Sequence, residues 1–287
     1  MTAAVTDRHI VALDLDGTVL RHGFTGAGDD AAGSIIDAPL AEAIRTIDAA
    51  GHEVVVATGR STDATLPIVE ELRIRPTWVI AANGAVTLKR DPLASRAYRR
   101  EHVEAFDPAE ALLKIRPQLA TAHFSVELAD GGFLYTKPIP AGTLPANQRQ
   151  VAFEELLGVQ AARVIVFSPD HRVEEFLSAI DALGLTHVSY SVGHTAWLDI
   201  SPHGVTKASA LEVVRTKLGV KPTNVFAAGD GRNDIDMLQW AGRLGQSVAM
   251  GQAAPEVKAS ATKVTASVEE GGLLLALQER FPDLLGA

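Results

Sequence analysis

The chain has 287 residues, no cysteine, a hydrophobic fraction of 47% with only 5% aromatic, and a formal net charge of -9. The missing cysteines exclude disulfides, thiolate zinc sites and cysteine-nucleophile chemistry, and the negative balance argues against a general affinity for nucleic acid or anionic membrane. An interior built mainly of Ala, Val, Leu and Ile suits helices laid on a parallel sheet.

Met1 to Arg8 is polar and lacks the apolar core of a signal peptide, and no apolar stretch is long enough to span a bilayer, so a cytoplasmic protein is expected. Ile10 to Leu13 reads as a buried strand, and Arg21 to Asp37, rich in Gly and Asp without periodicity, as a loop. Pro39 starts a helix with Leu40, Ala43, Ile44 and Ile47 on one face and Gly51 as its stop. A second buried strand runs from His52 to Ala57, a helix follows from about Asp63 to Leu72, then a strand Trp78 to Ala81 and a turn at Asn83-Gly84. This order predicts a doubly wound α/β sheet, in which sites form beyond the carboxyl ends of the strands.

The middle of the chain has a different texture. Asp107-Pro108-Ala109-Glu110 is a helix start, and Phe124 to Leu128 and Phe133 to Thr136 flank Asp130-Gly131-Gly132 as a hairpin. A strand Arg163 to Phe167, a helix opening at Ser168-Pro169 and stopping at Gly184, and strands near His187 to Val192 and Ala196 to Ile200 repeat the arrangement. Residues 86–195 are therefore expected to form an inserted α+β domain, with 1–85 and 196–287 forming a Rossmann-like core. The α/β rhythm returns with a helix carrying Lys207, Leu211, Val214 and Leu218, a strand Val225 to Ala228, a helix from Asp234, a strand Ser247 to Met250 and a last helix near Glu270 to Glu279.

Four short segments stand at these strand ends and helix starts. Asp14 and Asp16, followed by Gly17 and Thr18, place two carboxylates where a buried strand ends, which is costly without a cation or a reacting group between them. An Asx turn is the bland alternative; a calcium loop fails because position 25, where it needs an acid, is Thr25. Thr58 in Ala57-Thr58-Gly59-Arg60 offers a hydroxyl, with a helix N-cap as its structural alternative. Lys207 in Gly204-Val205-Thr206-Lys207 sits at a helix start, unfavourable for a cation unless an anion is near. Gly229-Asp230-Gly231-Arg232-Asn233-Asp234 brings two more acids to a strand end. No P-loop or dinucleotide glycine pattern is present. His52, His123, His187 and His194 form no metal-spaced pair, and Trp78 and Trp197 read as core.

The D-x-D-G-T segment resembles the nucleophile loop of the haloacid dehalogenase-like phosphohydrolases, and the other three segments match that family's remaining motifs in order. The position of the insert, after the third strand and Asn83-Gly84-Ala85, resembles the Cof-type phosphatases with a type IIB cap. That resemblance implies Asp14 as nucleophile, forming an aspartyl-phosphate, and Asp16 as acid and base for the leaving alcohol and the attacking water. It implies Gly17, Thr58, Gly59, Arg60, Lys207 and Asn233 as phosphate or substrate ligands. A magnesium ion is implied on Asp14, the Asp16 main-chain carbonyl and Asp230, with Asp234 held behind them or reaching the ion through water. Small phosphorylated metabolites, often sugar or polyol phosphates, are the implied partners. A phosphomutase would share Asp14 and Asp16, and a non-catalytic phosphometabolite binder remains the alternative of a different class. The Arg21 to Asp37 stretch is longer than the family pattern leads one to expect and stands as a candidate specificity flap. Oligomeric state is not legible.

Overall fold

In a computed structural model, which describes residues 8–21, 36–94, 96–139, 147–185, 188–192, 196–243 and 245–286, the first apolar run forms β1 (Ile10–Leu13), buried along its whole length. Helix α1 (Ala38–Ala49) follows, with Pro39 in its first turn and Leu40, Ala43, Ile44 and Ile47 turned inward. β2 (Glu53–Ala57) leads to α2 (Thr62–Leu72), whose cap is Ser61: its Oγ accepts from Ala64 N at 3.3 Å. After β3 (Trp78–Ala81) the chain reverses through Ala82, Asn83 and Gly84, at φ 49°, 54° and 103°.

The expected boundary at residue 86 is not where the sheets divide. β4 (Val86–Arg90) returns antiparallel to β3, and β5 (Tyr98–Val103) pairs with β4, so both extend the first sheet. The reversal makes a hairpin instead of an exit, because Val86 and Leu88 alternate into the same core as Val79 and Ala81.

The second layer contains α3 (Ala109–Ile115), β6 (His123–Leu128), β7 (Phe133–Tyr135), β8 (Gln148–Gln150), β9 (Ala161–Phe167), α4 (Val173–Ala182), β10 (Val188–Val192) and β11 (Trp197–Pro202). Its six strands run β10-β11-β9-β6-β7-β8, antiparallel except for β7 with β8. β11 therefore belongs to this sheet and not to the core, a second shift of the expected division at 195, because its buried residues Leu198 and Ile200 pack with Val164 and Val166. α4 begins at Val173, five residues after the expected start, since Ser168 is turned to His171, 2.7 Å from its Nδ1.

The chain then completes the first sheet with α5 (Lys207–Leu218), β12 (Val225–Gly229), α6 (Ile235–Gly242), β13 (Gln246–Ala249), α7 (Pro255–Ser260), β14 (Lys263–Val264), α8 (Gly272–Arg280) and α9 (Pro282–Leu285). The order is β14-β13-β12-β1-β2-β3-β4-β5, parallel from β14 through β3. Alternate residues of the central strands enter different cores. Val11, Leu13, Val54 and Val56 pack on the α1 and α8 side, and Ile10, Ala12, Val55 and Ala57 on the α5 and α6 side. An Arg21–Asp37 ion pair joins the two ends of the long loop; residues 22–35, the greater part of the expected flap, lie outside the described residues, as do Met1 to Asp7, His187 and His194. Among the described residues no helix is long and apolar enough to cross a membrane.

Candidate active site

β1 and β12 run side by side, and each ends in an acid. Asp14 N still donates to Ala228 O at 3.1 Å, and Asp230 follows the last residue of β12. Facing them, α5 opens on Lys207, with Thr206 as its cap: Thr206 Oγ1 accepts from Ser209 N at 3.3 Å. Lys207 Nζ donates to Asp14 Oδ1 at 2.5 Å and to Asp234 Oδ1 at 2.7 Å, and neither Lys207 nor Asp234 has exposed surface. The second oxygen of Asp234 accepts from the N–H groups of Asp230 at 3.0 Å and Gly231 at 2.9 Å. Asp234 thus fixes both the ammonium and the loop carrying Asp230.

Asp14, Asp230 and Asp234 each offer an oxygen within 4.8 Å of the others. Burial, followed by the charge of Asp234, pushes Asp14 well above the usual carboxylate range and Asp230 up to about 7. Burial alone would lower the Lys207 pKa, but Asp14 and Asp234 together outweigh it and hold the ammonium charged. Three carboxylates against this single bonded ammonium leave a deficit of positive charge. An oxygen-only donor set of this kind suits a hard divalent cation.

Gly17 is required by close approach. It has φ +75°, and a Cβ there would stand 2.1 Å from Asp230 Oδ2. Its N–H donates to Leu20 O at 3.0 Å, closing a tight turn just after Asp16. Gln252, which sequence reasoning missed, closes the arrangement. Its Nε2 donates to Gly17 O at 2.6 Å and to Asp230 Oδ2 at 3.2 Å, while its Oε1 accepts from Val268 N at 3.0 Å. The available signal was its place just beyond a parallel strand, where sites form.

Thr58 follows the last residue of β2, is fully buried, and accepts from Arg60 N at 3.2 Å through Oγ1; since Ser61 caps α2, the N-cap alternative for Thr58 falls away. Arg60 grips the Asp16 carboxylate with Nε at 2.8 Å and with a second nitrogen, so the Asp16 side chain is drawn to Arg60 and away from the three-acid group. Asn233 Nδ2 donates to Asn83 Oδ1 at 3.0 Å, across the turn that follows β3. Gly59 lies under that pair, and its carbonyl accepts from Arg163 of the second sheet. The structure therefore gathers Asp14, Lys207, Asp230 and Asp234 in one buried group, with Asp16 and Arg60 paired beside it and Thr58, Gly59 and Asn233 along the β2 side. Trp197, expected in the core, is half-buried on the second sheet.

Residues 11–277 match the family model of haloacid dehalogenase-like hydrolases. Among curated relatives, phosphatase YwpJ of Bacillus subtilis is 29% identical over 309 aligned positions, covering 92% of this chain and 96% of its own. The 5-amino-6-(5-phospho-D-ribitylamino)uracil phosphatase YitU of the same organism is 25% identical, covering 96% and 98%. Among solved structures, the HAD subclass IIB sugar phosphatase BT4131 superposes with a TM-score of 0.75 at 22% identity, covering 95% of this chain and 98% of its own. The phosphatase BT1666 of Bacteroides thetaiotaomicron gives 0.71 at 24% identity, with 97% of each chain covered.

Proposed function

The chain belongs to the haloacid dehalogenase-like hydrolases and is a phosphatase, and from that premise we propose that it hydrolyses sugar or polyol phosphates with magnesium, through an aspartyl-phosphate. One observation carries the reading: a buried ammonium, Lys207, held between Asp14 and Asp234 with Asp230 alongside. The sugar-phosphate class draws on the likeness to a IIB sugar phosphatase and on Ser125, Glu127, Arg163 and Asp199, polar groups of the second sheet, which in this reading is the cap. A cytoplasmic location belongs to the same reading.

Phosphate monoesters resist attack because the nucleophile meets a dianion. Lys207 supplies fixed positive charge at Asp14, so the approaching phosphoryl group meets an ammonium as well as a carboxylate. Magnesium, held by Asp14, the Asp16 carbonyl and Asp230 with Asp234 behind them, would supply the remaining charge neutralisation. In the first step an Asp14 oxygen bonds to phosphorus, the ester P–O bond breaks, and the leaving alkoxide takes the proton of Asp16. In the second, Asp16 takes a proton from water, the hydroxyl oxygen bonds to phosphorus, and inorganic phosphate leaves Asp14 as a carboxylate. Arg60, bonded to both Asp16 oxygens, sets where that proton carrier stands until an ester competes for the guanidinium.

Phosphate release across a panel of phosphorylated metabolites, with and without chelator, tests the proposal. Activity is expected to vanish on chelation and return with magnesium, and Asp14→Asn is expected to lose at least about a hundredfold while the fold persists. A phosphorylated product without free phosphate would indicate a mutase, and turnover confined to phosphoprotein would overturn the substrate class.

A further inference from the structure

The inner face of the six-stranded sheet carries polar groups that the phosphate chemistry leaves unused. Along β6, Phe124 and Val126 enter the helix-covered core, so alternation sends Ser125 and Glu127 to the opposite face. Register places Ser125 opposite Tyr135 and Ile165, Ile165 opposite Asp199, and Trp197 opposite Phe167 on that face. Arg163 joins this face to the catalytic loop. One of its nitrogens bonds Gly59 O and stands 3.4 Å from Asp199 Oδ1, and another stands 3.2 Å from Glu127 Oε2. Asp199 Oδ2 accepts from Trp197 Nε1 at 3.0 Å. The Asp199 carboxylate is therefore aimed from two sides, one guanidinium away from the loop of Thr58 and Arg60.

An ester whose phosphoryl group meets Asp14 and Lys207 must direct its alcohol portion out of the core, toward this face. A carboxylate has acceptor places for about four donors. Asp199 fills places with Trp197 and Arg163, and its side chain keeps 17% of its surface exposed. Ser125 Oγ is buried there and has no partner among the described residues. Arg100 and Arg163 are matched by Glu127 and Asp199, so the described charges of this wall hold no surplus to draw a second anion. A neutral group rich in hydroxyls complements the polar part of this surface, with the half-buried Trp197 ring, packed against Phe133, Ile139 and Ile165, as its apolar flank.

We propose that Asp199, aimed by Trp197 and Arg163, is the specificity-determining residue that accepts hydroxyl hydrogens of the alcohol portion, selecting monoesters with a neutral polyol tail. The assignment rests on the reading above, in which the enzyme acts on small hydroxylated esters. Its measure is the ratio of kcat/KM for polyol phosphates to kcat/KM for an aryl phosphate without hydroxyls. A ratio is independent of how much of a variant is folded. Asp199→Asn is expected to lower it about tenfold, through KM, and Trp197→Phe, which removes the Nε1 donor and shrinks the ring but keeps the carboxylate, is expected to lower it less. A wild-type enzyme that releases phosphate from the aryl ester but from no hydroxylated ester removes the substrate class and this assignment together. If the wild type turns over both and neither variant moves the ratio, the Asp199 assignment alone is overturned, as it is by a preference for bisphosphates.

Discussion

Asp230 and Lys207 show how far single residues depend on the company they keep. Asp230 has its carboxyl pushed up to about 7 by burial and by Asp234, and Asp14 is raised as well. Between the unfolded value near 4 and the folded value, the native protein binds more protons than the unfolded chain. Stability of metal-free protein is therefore expected to fall as pH rises from about 4 to about 7. Added magnesium is expected to flatten that fall by replacing the protons. Thermal melts in chelator across this range check it, and a melting temperature that climbs with pH would contradict it. The acids and the lysine were legible because each stands at a strand end or helix start in a recognised motif. Gln252 was not, since a neutral amide in a loop carries no charge cost that marks it. Nor was the Asp16–Arg60 pair, since nothing in the spacing of 16 and 60 reports that the two side chains meet.

At the scale of elements, strands buried on both faces read well. β1, β3 and β12 are unbroken apolar runs, β2 is one after Glu53, and each lies within a residue of its expected place. β8, with the sequence Gln148-Arg149-Gln150, is fully exposed and β14 has only two residues, so neither offers a hydrophobic period to detect. The β3–β4 turn was visible as Asn83-Gly84, but its role was not. A Cβ on Gly84 would stand 2.2 Å from Thr206 O, so this turn abuts the residue that caps α5 and precedes Lys207. Gly84→Ala is expected to cost roughly 1–3 kcal/mol through the backbone at φ +103° alone. It is also expected to weaken activity by pushing the start of α5. Denaturant titration beside kcat distinguishes this from a remote stability loss, which would leave kcat per folded molecule intact.

At the scale of the molecule, the two sheets are tied by charge. Glu127, without exposed surface, receives Arg100 from the first sheet at 3.2 Å and Arg163 from its own, which in turn reaches Gly59. Glu127→Gln leaves two guanidiniums without their shared partner and is expected to cost about 3–5 kcal/mol. Calorimetry is expected to split one transition into two, the six-stranded layer melting apart from the eight-stranded one, and a single transition at the original temperature would refute this. The insert was legible as a change in texture, whereas its edges were not. The crossing points after β5 and after β11 are set by which core the strands feed, and that is a property of partners distant in sequence.

The register of β1 has a consequence for how the protein comes into being. Ile10 to Leu13 are made long before one of their two partners, Val225 to Ala228. On the ribosome the six-stranded layer, being continuous in sequence, is complete before β12 emerges. During that interval the central strand has one open edge, with its hydrogen-bonding groups unpaired and its flanks apolar. A nascent chain stopped short of residue 225 therefore carries a sticky edge along β1, and only the emergence of β12 retires it.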